Sequence, residues 1–254
     1  MLSTGLNARS LMNKVPDLKC VIDTYNASFV LVSETWLKAF VPDSFFIDCN
    51  RYSVLRHDRT AGVGGGVCAI VSKKFNIVQI ETDPNLEVVA FDLILCDTKL
   101  RFITVYRKPE YNAEACLYMK SMLTCLRQLS SVKHTVLIAG DLNLPHVDWK
   151  FMHTAATDEI HVNFLAFASE FGFTQCVTES TRVDNILDII LVNDPHIVTE
   201  CNVLAPVGSS DHDSVLFKLF MPDNGSNDEY VPNGNLALVY DYDNTDYESK
   251  SVLE

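Results

Sequence analysis

The run Asn185-Ile186-Leu187-Asp188-Ile189-Ile190-Leu191-Val192 constrains this chain more than any other feature. It is too apolar to be anything but buried, and it is of strand length. Asp188 in its middle is the anomaly. A carboxylate buried in a strand costs several kcal/mol unless a cation or hydrogen-bond donors hold it, so it needs a partner. One candidate stands downstream in Ser209-Ser210-Asp211-His212, just before a final strand over Ser214 to Phe220. His212 is either part of a surface turn or an imidazole whose tautomer a remote, strand-held Asp188 fixes for acid/base work. A Ser-His-Asp hydrolase is excluded at Ser209 and Ser210, because neither sits in a Gly-x-Ser-x-Gly elbow.

A second stretch, His134 to Trp149 (HTVLIAGDLNLPHVDW), carries the same tension. Thr135 to Ala139 reads as a buried strand that Gly140 lets turn sharply, with Asp141, Leu142 and Asn143 at its tip. Asp-x-Asn after a strand is an Asx-turn in one reading. In the other, Asp141 is a base or metal ligand and Asn143 a neutral donor to an anion in one cleft.

Read in order, the chain alternates such strands with few helices. Leu18, Val21, Ile22 and Tyr25 repeat at helical spacing after Asn13 and Pro16, and Phe29 to Val32 reads as a strand ending at Ser33-Glu34-Thr35-Trp36-Leu37. Glu34 is a carboxylate delivered to a cleft or the first solvated residue of a loop. Phe45 to Leu55 is strand-like. Arg56-His57-Asp58-Arg59 then leads to Gly62-Val63-Gly64-Gly65-Gly66, a phosphate cradle or a hairpin link, and no helix start follows it as a Walker loop would require. Val67 to Val71, Phe75 to Ile80, Leu86 to Leu95 and Leu100 to Tyr106 extend an antiparallel meander, with Cys96 to Lys99 as a turn. At its end, Tyr106-Arg107-Lys108-Pro109 offers a phenol and two cations to a phosphate, or is a half-buried Tyr with surface cations. Helices are expected over Tyr111 to Leu129, with Leu117, Met119, Met122, Leu123, Leu126 and Leu129 as core, and over Asp158 to Phe171, stopped by Gly172. Phe173 to Val177 is a further strand.

The formal charge of −13 argues against a nucleic-acid binder until it is divided by position. From Met221 onward eight acidic residues face only Lys250, so −7 lies there and −6 remains on residues 1–220. Part of that remainder would be the carboxylates of a cation site, so a phosphate substrate is not excluded, whereas tight non-specific DNA binding through a basic surface is disfavoured. The sequence predicts one domain over 1–220 and an acidic, flexible tail or connector over 221–254. Eight scattered cysteines without Cys-x-x-Cys read as reduced core thiols. No apolar leader opens MLSTGLNARSLMNK and no run approaches a membrane span, so an intracellular, non-secreted, membrane-free protein is expected.

Six motifs in order, Asn-Ala-Arg-Ser (7–10), Ser-Glu-Thr-Trp-Leu (33–37), Tyr-Arg-Lys-Pro (106–109), Gly-Asp-Leu-Asn (140–143), Leu-Asp-Ile-Ile-Leu-Val (187–192) and Ser-Asp-His (210–212), resemble the endonuclease/exonuclease/phosphatase superfamily, which includes DNase I and the apurinic/apyrimidinic endonucleases. Within it, the likeness is to the endonuclease domain of non-LTR (LINE-type) retrotransposons. The resemblance covers about residues 5–220 and implies an α/β fold, a four-layered sandwich of two mixed β-sheets flanked by helices. It implies metal-assisted hydrolysis of a phosphodiester, by a DNA-nicking endonuclease. In that scheme Glu34 binds Mg²⁺ (or Mn²⁺) with Asp211 near it, Asp141 activates water, and Asn7 and Asn143 orient neighbours and phosphate. His212, oriented by Asp188, holds the phosphate or shares in proton transfer, and Tyr106 rests on the phosphate. Arg9, Arg59, Arg107 and Ser210 are the further substrate-binding candidates. Hard oxygen ligands suit Mg²⁺ or Mn²⁺ rather than zinc.

Arg9 departs from the pattern, since some repair enzymes of the family carry an acid there. Only Met1 to Leu6 precede the first motif, which is short for a long first strand. The tail segment Tyr240 to Glu248 resembles the start of a connector to a reverse transcriptase, so a fragment of a longer polypeptide or a captured domain is implied, acting on DNA and hence in the nucleus. Two other readings stand beside the nuclease: a phosphatase or phosphodiesterase acting on a small phosphoester or lipid headgroup, and an inactive captured domain serving as a binding module.

Overall fold

The computed structural model describes residues 1–95 and 98–220. The expected tail over 221–254, and Cys96 and Asp97 of the expected turn, lie outside the described residues. In chain order the elements are β1 (Leu2–Asn7), α1 (Val15–Tyr25), β2 (Phe29–Ser33), β3 (Tyr52–His57), β4 (Val67–Ser72), β5 (Ile77–Ile80), β6 (Val88–Ile94), β7 (Lys99–Tyr106), α2 (Ala113–Ser130) and β8 (Thr135–Asp141). There follow β9 (Val147–Asp148), β10 (His153–Thr154), α3 (Glu159–Glu170), β11 (Thr174–Gln175), β12 (Asp188–Val192), β13 (Val198–Pro206) and β14 (Asp213–Leu219).

They form two six-stranded mixed sheets, ordered β13-β14-β1-β2-β4-β3 and β11-β12-β8-β7-β6-β5, with a small β9/β10 hairpin. The parallel pairs are β1 with β2 and β7 with β8, each joined by a crossover through one helix. Strand alternation explains the layering. On β2, Phe29 and Leu31 point between the sheets toward Phe91, Phe102, Leu137 and Ile190, while Val30 and Val32 point outward to Leu18 and Ile22 of α1. On β8, Leu137 and Ala139 face the first sheet, and Val136 and Ile138 face Met122, Leu126 and Phe164 of α2 and α3. The result is helix, sheet, sheet, helix, the expected four-layered α/β sandwich. Phe102 is the hub between the sheets, stacked on Phe29 at 4.7 Å and on Phe91 at 4.9 Å. Each such buried ring contributes roughly 1.5–3 kcal/mol by transfer from water.

The structure departs from the sequence reading in several places. Phe45 to Leu55 is not one strand: Asp43–Phe45 is a single 3₁₀ turn, and Asn50 N–H donates to Asp48 Oδ1 in a polar turn that delays β3 to Tyr52. The meander is split, since β4 lies in the first sheet and β5 to β7 in the second. Leu2 to Asn7 does make a full strand, because it pairs on both sides, with β14 and β2. Leu117 is 65% exposed rather than core. Among the described cysteines, Cys20 and Cys49 are exposed and so are not core thiols. β13, an edge strand with no fully buried residue, opens on the polar Thr199-Glu200-Cys201-Asn202, so its apolar second half did not announce a strand from Val198.

Among the described residues no helix is long and apolar enough to cross a membrane.

Candidate active site

The registers of the two sheets bring the six motifs to one place. β8 is flanked by β7 and β12, with Tyr106 opposite Asp141 and Asp188 opposite Asp141. On the other sheet Asn7 lies opposite Ser33, so Glu34 follows at the same end, and His212 immediately precedes β14, which pairs with β1. Gly140 is what lets β8 reach that row. Its φ is +139°, and a Cβ there would lie 1.9 Å from the carbonyl oxygen of Val105 on β7.

Asp141 is buried, 1% exposed, and both its oxygens accept. Oδ1 takes the Asn143 N–H at 2.8 Å, and Oδ2 takes Asn7 Nδ2 at 2.8 Å from the other sheet. The Asx-turn and the cleft carboxylate are therefore both present. Asn143 sits at φ +49° and its Nδ2 donates to the Arg107 carbonyl at 2.8 Å, so its side chain braces the tip. Arg107 is folded back under its own loop. It is 1% exposed, and its guanidinium donates to the carbonyls of Leu142, Glu110 and Asn143 at 2.7–2.8 Å, which satisfies the backbone of the Asp141–Asn143 loop. The guanidinium expected to meet a phosphate is therefore engaged with backbone carbonyls beneath this loop.

Asp188 has the partner its burial demanded: Oδ2 meets His212 Nδ1 at 2.8 Å. The Thr181 hydroxyl accepts from the N–H groups of Leu187 and Asp188, fixing where β12 begins. Asp188 Oδ1 is buried without a partner. Ligand atoms of Asp141, Asp188 and His212 lie within 4.8 Å of one another, all buried. Two carboxylates so close in a dry site cannot both ionise cheaply. Burial first, and then the charge of Asp188, push the Asp141 carboxyl well above its usual range despite His212, Asn143 and Asn7. For His212, burial alone would lower its pKa, but the Asp188 bond and the charges of Asp188 and Asp141 outweigh it and raise it.

Glu34 stands at φ +53° on the turn after β2, half-buried. It accepts from Trp36 Nε1 at 3.1 Å and from the Tyr106 hydroxyl. Burial, then the Glu34 charge, drive the Tyr106 pKa far up, so the phenol is a neutral donor. The glycine loop braces this turn instead of forming an open phosphate cradle. Gly66 and Gly65 carbonyls accept from Thr35 and Trp36 N–H at 3.1 and 2.8 Å, and Gly66 N–H donates to Glu87. Arg59 is also committed, paired with Glu87 and with its guanidinium 5.5 Å above the Tyr106 ring centre. It lines a neighbouring cavity of about 370 Å³, together with His57, Glu87, Lys108 and Tyr118, that includes none of Asn7, Asp141, Asp188 or His212.

Ser210 is buried and structural in its contacts: its hydroxyl donates to the Asn7 carbonyl at 2.8 Å and accepts the His212 N–H at 3.2 Å. Asp211 stands outside the buried cluster. Its Oδ2 is held at 2.7 Å by Arg9 and at 2.7 Å by Arg182. Burial would raise its pKa, but the Arg9 bond and the two guanidinium charges prevail and lower it. The carboxylate expected near the metal is thus held by two guanidiniums and is not among the clustered ligand atoms of Asp141, Asp188 and His212. Glu87, Thr181 and Arg182 are site-supporting residues that the sequence did not announce. Each is an ordinary polar residue at a strand start or a turn, distinguished only by what folding brings beside it.

Residues 100–216 match the family model Exo_endo_phos_2, described as endonuclease-reverse transcriptase. Among solved structures, the endonuclease domain of TRAS1, a telomere-specific non-LTR retrotransposon, superposes with a TM-score of 0.65 at 14% identity over 87% of this chain and 99% of that one. The AP endonuclease LMAP from Leishmania major gives 0.70 at 13% identity over 87% and 88%. The 3′-5′ exonuclease NExo from Neisseria meningitidis gives 0.66 at 12% over 86% and 99%. Comparison with curated proteins gives no match. The chain therefore has the DNase I-like α/β sandwich fold of these structures, and its residues 100–216 carry the endonuclease-reverse transcriptase family signature.

Proposed function

We propose that this chain is a divalent-metal-dependent phosphodiester hydrolase that nicks DNA, of the kind carried by non-LTR retrotransposons. The observation that carries this reading is the buried Asp141–Asp188–His212 cluster, joined across the two sheets by Asn7 and flanked by the Tyr106–Glu34 pair. The family model's own description and the TRAS1 neighbour favour a retroelement nuclease over other uses of the fold.

The residues fit a hard divalent cation. Asp188 Oδ1 is a buried oxygen without a donor, the Asp141 carboxylate and the His212 imidazole lie beside it, and no cysteine takes part in the cluster. Glu34 with the Asp141–Asp188 pair would hold Mg²⁺ or Mn²⁺; when bound, the cation offsets charge on the phosphate and lowers the cost of the crowded carboxylates.

The chain's own groups do the rest. Asp141, its pKa raised by burial and by Asp188, is in its ionised form a stronger base than an ordinary carboxylate and takes the proton of the attacking water. His212, its Nδ1 fixed on Asp188 Oδ2, presents Nε2 to the phosphoryl group and donates a proton or a hydrogen bond there. Tyr106 and Trp36 orient the Glu34 carboxylate, while Asn7, Asn143 and Arg107 hold Asp141 in place. The substrate is a DNA phosphate backbone, the parent polypeptide carries a reverse transcriptase region, and the working compartment is the nucleus.

Incubation with supercoiled plasmid and Mg²⁺ tests this: nicked circles should form and vanish on chelation. Phosphate release from small phosphoesters, with plasmid intact, would assign the site to a phosphatase instead.

A further inference from the structure

The residues around Asp211 form a feature that the hydrolytic scheme does not use. Arg9 and Arg182 converge on one oxygen of its carboxylate, both at 2.7 Å, and the two arginine side chains are 50% and 36% exposed. Two guanidiniums against one carboxylate leave a net charge of +1. Each offers five N–H donors in a planar fork, and one nitrogen of each meets Asp211, so donors remain beyond this pair.

Both arginines are rigidly mounted beside catalytic candidates. Arg9 follows Asn7 by two residues at φ +44°; its N–H donates to Asn7 Oδ1 at 3.0 Å, and its carbonyl is held by Lys14 Nζ at 3.1 Å. Arg182 sits on the tight turn closed by its pairing with Asn185, and the preceding Thr181 carbonyl accepts the Asp213 N–H at 2.8 Å. Asp211 is the immediate neighbour of His212. The cationic fork therefore opens at the rim of the buried cluster, in a described chain segment whose formal charge is negative overall. For a polyanion approaching an acidic protein, a local positive site at the rim is where attraction is concentrated.

We infer that Arg9 and Arg182 form a binding site for a backbone phosphate next to the scissile one, and that Asp211 occupies this site as an internal stand-in until the nucleic acid replaces it. A phosphodiester offers oxygens of the same charge and geometry as the carboxylate, and guanidinium forks bind either in paired hydrogen bonds. Asp211 is then a competitor of the nucleic acid for the two guanidiniums. The inference rests on the proposed nuclease reading for the identity of the anion.

The two sides of this competition give opposite signs. A duplex oligonucleotide is titrated in chelator, so that nothing is cut, and affinity is read by fluorescence anisotropy across a salt series. Arg182→Gln should weaken binding by roughly tenfold and make the dependence of log affinity on log salt shallower by about one. Asp211→Asn should tighten binding several-fold. Circular dichroism of both variants, together with Lys150→Gln at a separate surface position, controls for folding and for loss of charge in general. Equal affinities for wild type, Arg182→Gln and Asp211→Asn overturn the inference, as does weaker binding in Asp211→Asn or failure of the wild type to bind. A wild type that nicks plasmid while Arg182→Gln binds like it removes this site and leaves the nuclease standing. A wild type that binds through Arg182 but never nicks keeps the phosphate site and removes the hydrolase.

Discussion

Asn7 and Asp141 lie on different sheets, yet Asn7 Nδ2 donates to Asp141 Oδ2 at 2.8 Å, and this bond ties the two halves of the sandwich together at the reacting end. Because it also favours the ionised form of Asp141, its loss has a chemical signature. Asn7→Ala should move the acidic limb of the pH–rate profile upward, since Asp141 then ionises less readily. The loss of a buried hydrogen bond should cost about 1–3 kcal/mol of stability. A profile that drops in height without moving along the pH axis would show that Asn7 serves structure alone.

The pH dependence of stability follows from two raised pKa values. Asp141 is raised above its ordinary 3.8 and His212 above its ordinary 6.5, so in both cases the folded state holds its proton more tightly than the unfolded one. Each contribution is complete below the ordinary value and is lost as pH rises through the folded one, so the metal-free protein should weaken from about pH 4 upward and further above pH 6.5. Urea unfolding in chelator between pH 5 and 8 measures it. In Asp188→Asn the slope should flatten, because Asp188 raises both groups, and the His212 imidazole resonance should titrate at lower pH. Stability that climbs over this range in the wild type would contradict the assignment.

Arg107 predicts a split between shape and charge. Its fork satisfies two carbonyls of the loop that aims Asp141, Leu142 and Asn143, and a third at Glu110, which a lysine of equal charge cannot do. Arg107→Lys should lower stability by about 2–4 kcal/mol and reduce kcat more than it raises KM. If the residue touched substrate instead, Arg107→Lys would chiefly raise KM and leave the melting temperature alone.

Much of this was legible in the sequence because buried strands and misplaced charges are loud signals. Asp188 in an aliphatic run demanded a partner, and His212 was the residue found 2.8 Å from it. Two mixed sheets followed from the motif resemblance and from strands outnumbering helices. What stayed hidden depends on register across the sheets. Nothing in Tyr-Arg-Lys-Pro distinguishes a phosphate-binding Arg107 from one folded back under its own loop, and nothing local to Asp211 announces Arg182, 29 residues earlier, as its partner. β13 escaped because it is an edge strand with no fully buried residue, and its first half, Thr199 to Asn202, is polar. Polar Asp48 and Asn50 likewise interrupted the strand expected from Phe45.

The central claim is that the Asp141–Asp188–His212 cluster performs metal-dependent phosphodiester cleavage. Plasmid nicking by wild type and His212→Ala side by side, with Mg²⁺ and with chelator, tests it most directly. The account predicts nicked circles only for the wild type with Mg²⁺, and a loss of about 10²-fold or more in the variant. A folded wild type that leaves plasmid intact, or a His212→Ala variant that nicks at the wild-type rate, would contradict it.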